Sequence, residues 1–134
     1  MAWLEDVASL ISGAGVAALN TTMFLSTAAS IPAGAGPYLL IVETGGLEPE
    51  RLHNFAEPAY ERPGAQITVR ASSYVSARNM ARLAFDAVDG VYNTTINGTW
   101  YREIVALQRP FDIGPDDTKR VRVVFNILGV KALS

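Results

Sequence analysis

The sequence predicts an α+β fold, a mostly antiparallel β-sheet with an N-terminal helix and one central helix packed on one face. Three observations lead there. Two segments, Trp3–Ile11 and Tyr74–Val88, place apolar residues at helical spacing. Several others, among them Gln66–Ala71 and Arg120–Leu128, alternate apolar and polar residues as half-buried strands do. The strands also come in runs joined by turn residues, and do not alternate singly with helices as a parallel sheet requires. A length of 134 residues suits one domain, 1–134.

Taken in order, Trp3, Leu4, Val7, Leu10 and Ile11 form the apolar stripe of the first helix. Glu5 and Asp6 stand in its first turn, where the helix dipole favours acids. Gly13 and Gly15 end it. Thr22–Thr27 has strand character, the glycines and prolines of Ile31–Pro37 mark a turn, and Tyr38–Glu43 is a strand apolar on both faces; together they predict a hairpin. Residues 44–64 show no strong period, carry Gly45-Gly46 and three prolines, and are expected to form a long loop.

Gln66–Ala71 resumes the alternation, and Ser72 or Ser73 can cap the helix that follows from about Tyr74 to Asp89 and stops at Gly90. Tyr74, Ala77, Ala81, Ala84 and Val88 make its packed stripe, widened by Met80, Leu83 and Ala87. Arg82 and Asp86, spaced i,i+4, are expected to pair on its outer side. Asn97-Gly98 between β-formers is a strong hairpin signal, because a type I′ turn needs positive φ at both central residues. The second strand of that hairpin should run to Gln108, and Phe111–Asp117 supplies the residues of another turn. In the last strand Val121, Val123, Phe125 and Ile127 face one way; Arg120, Arg122, Val124, Asn126 and Leu128 face the other.

Composition narrows the function. Hydrophobic residues make up 49% and charged residues 18% of the chain, which suits either an apolar surface kept for partners or a high alanine count. The net charge of −2 lacks the overall basic character of a nucleic-acid binder. With no cysteine there is no disulfide scaffold and no thiol nucleophile. His53, the one histidine, lies in the expected loop, so a zinc site is not expected. Asp112, Asp116 and Asp117 around Gly114 lack the ligand spacing of a calcium loop. The start of the chain has no secretory pattern and no apolar run is long enough to span a membrane, so no membrane association is expected. No catalytic residue, metal site or cofactor is expected, and the chain does not read as an enzyme.

Two features remain. Lys119, Arg120 and Arg122 gather at the start of the last strand, with Arg109 and Arg102 on the strands expected beside it. They form either a solvated sheet face or, in a ring of copies, a lumen that could hold DNA by phosphate contacts. The strand Tyr38–Val42 is either a buried central strand or a subunit interface.

From Gln66 to Asn126 an ordered series of short motifs stands out. Arg70-Ala71-Ser72-Ser73-Tyr74 leads into Ala77-Arg78, Ala81 and Asp86. Asn97-Gly98 and Tyr101 follow, then Ala106-Leu107-Gln108-Arg109-Pro110, Gly114 and Asp116. With the upstream Glu43-Thr44-Gly45-Gly46 turn, the series resembles the tail terminator (tail-completion) proteins of long-tailed bacteriophages. The stretch up to about Ser30 matches least.

The resemblance implies a structural virion protein, made in the host cytoplasm, that works without turnover. It would form a homo-oligomeric ring, commonly a hexamer, at the head-proximal end of the tail tube. Its partners would be the tail-tube protein and the head's connector or neck protein, with DNA passing through the lumen without base reading. Tyr38, Leu40 and Val42, together with Arg51 and Arg62 in the expected loop, are then candidates for subunit or tube contacts. Arg120, Arg122 and Lys119 are candidates for the lumen. Another neck protein, for head closure or connection, is the nearest alternative; a small enzyme is a more distant one.

Overall fold

Alternation in the sequence becomes a seven-stranded sheet in the computed structural model, which describes residues 2–17, 22–25, 36–51, 58–115 and 119–132. The elements are α1 (Ala2–Gly13), β1 (Met23–Leu25), β2 (Tyr38–Arg51), β3 (Pro58–Ala71), α2 (Tyr74–Val88), β4 (Val91–Ile96), β5 (Thr99–Ala106), β6 (Phe111–Pro115) and β7 (Val121–Ala132). The spatial order is β1-β2-β3-β7-β5-β4. β6 also lies on β7, pairing with Val121–Val124, while β5 takes the farther stretch Ile127–Lys131. All pairings are antiparallel except β1 with β2. The α+β class with an N-terminal and a central helix is as expected.

One face of the sheet carries the core. Leu39 and Ile41 on β2, Ala65, Ile67, Val69 and Ala71 on β3, and Val123, Phe125 and Ile127 on β7 stand in register and are buried. Against them pack Trp3, Leu4, Val7 and Ile11 of α1 and Ala77, Met80, Ala81, Ala84 and Val88 of α2. Each fully buried Leu, Ile, Val or Phe contributes roughly 1.5–3 kcal/mol. The three small alanines let α2 sit close, so that Phe85 meets Phe125 edge to face at 5.6 Å. Ser73 caps α2, its hydroxyl accepting from the Ser76 N–H at 3.2 Å. Asp89 ties the other end to β5 by accepting from the Ala106 N–H at 2.8 Å.

α1 is fixed by polar contacts that long-range packing creates. Trp3 lies over Gly129, where a Cβ would come within 2.8 Å of its ring, and donates its indole N–H to the Gly64 carbonyl at 3.0 Å. Asp6 is buried; it accepts from the Tyr101 hydroxyl at 2.5 Å and from the Asn97 amide at 2.9 Å.

Several expectations need correction. The β1 and β2 segments are not a hairpin: they run parallel, Met23 beside Leu39. The connection, residues 26–37, has the dozen or so residues that a parallel return requires. Residues 44–64 are not a long loop. β2 and β3 stay paired from Tyr38↔Arg70 to Arg51↔Pro58, and only residues 52–57 lie outside the described residues. The register shifts after Thr44, after Leu47 and after Glu50. Each such bulge inverts the alternation, which erases the two-residue period by which a strand is recognised.

Part of the turn expected at Phe111–Asp117 is the short strand β6, and β5 stops at Ala106. Tyr74 and Leu83, expected on the packed stripe of α2, are each 48% exposed. Tyr74 opens the helix, and the Arg78 guanidinium lies over its ring at 5.7 Å. The ion pair expected between Arg82 and Asp86 does not form among the described residues. His53 and the turn at 31–35 lie outside the described residues.

Candidate interaction surface

The sheet face turned away from the helices is read from the register. Tyr38, Arg70 and Arg122 form one cross-strand row; Leu40, Thr68, Val124 and Phe111 form the next; Val42, Gln66 and Asn126 follow. Tyr38, Leu40 and Val42 are half-buried there, and Phe111 is 41% exposed. Phe24 and Val124 add buried apolar area to the same rows, outside the main core. Among the described residues no helix covers this face. Farther along β2 it opens into an apolar pocket of about 340 Å³ lined by Thr44, Gly45, Gly46, Gly64, Leu107 and Leu128. The glycines make the recess: at Gly46, with φ +66°, a Cβ would collide with the Arg62 carbonyl.

The candidate arginines are only partly brought together. Arg122 donates its Nε and Nη2 hydrogens to the carbonyls of Gly114 and Pro115, each at 3.3 Å, and so holds β6 against β7. Arg120 and exposed Lys119, the latter at φ +63°, lead into β7 beside it. Arg70 joins them as the register partner of Arg122. The alternation of Gln66–Ala71 puts Arg70 on the polar face, but the strand it would lie beside is not readable from the sequence. Arg102 and Arg109, by contrast, are elsewhere. Arg102 stands near the far end of β7, its guanidinium 5.5 Å from the Tyr60 ring; Arg109 lies 5.3 Å from the Phe85 ring on the helix side. Arg62 is half-buried on β3 across the bulge from Leu47. Of Arg51 only the backbone is described, paired with Pro58.

A second charged locus escapes sequence reading. Arg78, Asn79, Arg82, Arg109 and Pro110 line a pocket of about 260 Å³ between α2 and the link from β5 to β6. The Arg78 guanidinium donates to the Pro110 carbonyl at 2.9 Å, which ties that link to the helix. The i,i+4 spacing of Arg78 and Arg82 is visible in the sequence; the approach of Arg109 is a product of the fold.

Among the described residues no group of three or more His, Cys, Asp or Glu side chains could hold a metal, and no helix is long and apolar enough to cross a membrane. Asp112 is occupied locally, accepting from the Gly114 N–H at 2.7 Å.

Comparison with known proteins adds the missing context. Residues 10–128 match a family model described as bacteriophage tail terminator protein. Four chains of solved structures match in fold. One of them belongs to the virion of a native gene transfer agent particle. It has a TM-score of 0.59 and 14% sequence identity, and the match covers 95% of this chain and 84% of that one. At that identity the likeness shows the fold alone. No curated protein matches the sequence.

Proposed function

We propose that this chain, which belongs to the bacteriophage tail terminator family, closes the head-proximal end of a tail tube as a homohexameric ring of single-domain subunits. Family membership makes it a structural protein of the phage tail and a component of the virion. In the proposed role it stops tube growth, presents a docking surface to the head's connector or neck protein, and lets DNA pass. The work is done by assembly and docking, with no turnover and no cofactor, after synthesis in the host cytoplasm.

The observation that carries this reading is the family match, which runs from within α1 through most of β7 and so takes in nearly the whole sheet. The helix-free face supports it. A row of half-buried apolar side chains on a face that no described helix covers is what a subunit or tube contact uses. Tyr38, Leu40 and Val42 are its proposed contact residues, with Arg62 and Arg51 proposed as further contacts toward the other end of the β2–β3 pair. Lys119, Arg120 and Arg122 are proposed to face the lumen, where phosphate contacts need no base reading.

The test is native mass by light scattering over a concentration series, with negative-stain imaging, alone and with tail-tube protein. A closed ring with a hole wide enough for duplex DNA, in solution or on tubes, is the expected result. A chain that stays monomeric under both conditions rules the ring out. Binding to portal-bearing heads and not to tubes would make the protein a head-side neck component.

A further inference from the structure

We infer that β6 aims the Arg122 guanidinium at a DNA phosphate, and that bound duplex in turn fastens β6 to β7. The inference rests on the lumen reading proposed above and says how one of its cations is set.

A guanidinium presents its N–H groups in a rigid planar fork. The side edge of Arg122, Nε and Nη2, is taken by the Gly114 and Pro115 carbonyls, each at 3.3 Å. Both acceptors are main-chain atoms of one strand, so the path of β6 sets the plane of the group. What is left is the end edge, one hydrogen on each Nη, which can meet two phosphate oxygens in parallel. Among the described residues nothing accepts from it. Asp116 and Asp117 lie outside them.

The surroundings suit a string of negative charges better than a single one. Arg70 faces Arg122 across the β3–β7 register, and Tyr38 and Gly114 complete the row without an acid. Exposed Lys119 leads into the strand, and Arg120 stands two residues before Arg122 on the same side of the alternation. Like charges directly opposite each other on a sheet repel. A phosphate backbone relieves that repulsion along the whole patch, whereas one carboxylate relieves it at one point.

β6 can respond because little else holds it. Four of its five residues are exposed, and its register on β7 shifts between Asp112 and Gly114. Its last residue, Pro115, has no N–H for the ladder. The φ of +90° at Gly114 shapes the end of the strand from which the two carbonyls reach Arg122. Coupling is reciprocal: if β6 orders the fork, phosphate on the fork orders β6.

Two readouts on the full chain test this, alone and on tail tubes: affinity for a short DNA duplex at low salt, and hydrogen exchange of the Phe111–Gly114 amides. In the unmodified chain, duplex should slow that exchange. Arg122→Lys keeps the charge and loses the fork. It should weaken duplex binding about tenfold and abolish the effect of duplex on β6. Gly114→Val leaves every cation in place. A Cβ there meets nothing within 4 Å, so the change acts through the backbone, and duplex binding should fall about as far. Circular dichroism and native mass show whether each variant folds and assembles; if Gly114→Val does not, Arg122→Lys and the exchange of the unmodified chain decide.

A folded variant that binds duplex like the unmodified chain would show that only the sum of charge counts, and would overturn the inference while the lumen reading stands. So would Phe111–Gly114 exchange that duplex leaves unchanged or speeds. Duplex binding that emerges only with Asp116→Asn and Asp117→Asn would show the fork already occupied. Loss of the ring in Arg122→Lys would assign the fork to a neighbouring subunit. An unmodified chain that binds duplex no better than Arg120→Gln with Arg122→Gln removes the lumen reading itself, and the inference with it.

Discussion

Asp6 shows how much a single residue can hide. In the sequence it is an acid in the first turn of a helix, complementing the dipole. In the fold it is buried, with the Tyr101 hydroxyl and the Asn97 amide as its donors. A buried acid and a solvated one look the same in a sequence when the partners lie more than 90 residues away. Burial, and after it the hydrogen bond and charge of Asp6, push the Tyr101 phenol well above its usual range. The sign of the consequence follows. The unfolded chain loses this proton near pH 10, the folded chain keeps it, and so stability present below that pH is lost as pH rises through it. Tyr101→Phe should destabilise by about 1–3 kcal/mol at neutral pH, because Asp6 loses a buried donor. It should also flatten the alkaline decline. Urea unfolding of both proteins at neutral pH and above pH ~10 reads both effects; equal stability at neutral pH would show that the hydrogen bond adds nothing net.

Elements whose signals are local were legible. Ser73 caps α2 within one residue of the expected start, and Asn97 and Gly98 take φ of 51° and 86° as a type I′ turn demands. The alternation of β7 sorts its two faces correctly: Val123, Phe125 and Ile127 are buried. What failed depends on partners. The parallel direction of β1 is set by β2, the pairing of residues 44–64 is masked by bulges, and β6 exists only because β7 offers an edge. The candidate surface was legible to the same degree: the apolar Tyr38–Val42 strand and the arginines of β7 were visible, whereas the Arg70–Arg122 row and the Arg78–Arg82–Arg109 pocket needed register. Two substitutions probe elements directly. Ser73→Ala should cost about 0.5–2 kcal/mol by leaving a helix-end N–H without its acceptor. Gly129→Ala should cost about 1–3 kcal/mol by forcing the Trp3 ring, and α1 with it, off the sheet. Thermal melts measure both, and an unchanged midpoint for Gly129→Ala would mean that α1 shifts freely.

At the scale of the whole molecule the two faces of the sheet differ in what covers them. The helix-bearing face holds the subunit together, and the other is the one proposed to meet neighbours. Arg122 stands between these roles, since its guanidinium ties β6 to β7. Replacing Arg120 and Arg122 with Gln should therefore lower subunit stability modestly, by about 0.5–1.5 kcal/mol per hydrogen bond lost. If the two residues line the channel, ring mass should be unchanged and retention of duplex DNA at low salt should fall. Loss of the ring in this variant would place them in a subunit contact instead.

The place of β7 has a consequence for the order in which the molecule can form. It is the last described strand in the chain, yet it lies in the middle of the sheet, with β3 along one edge and β6 then β5 along the other. During synthesis β3, β5 and β6 each wait with an open edge until Val121–Ala132 leaves the ribosome, and the contacts then made with β3 span up to about 70 residues. Sheets closed by such distant pairings form slowly. A nascent chain therefore cannot join its two flanks, β1-β2-β3 and β5-β4, early, and in the proposed ring a subunit would become competent to meet its neighbours only once its final strand is in place.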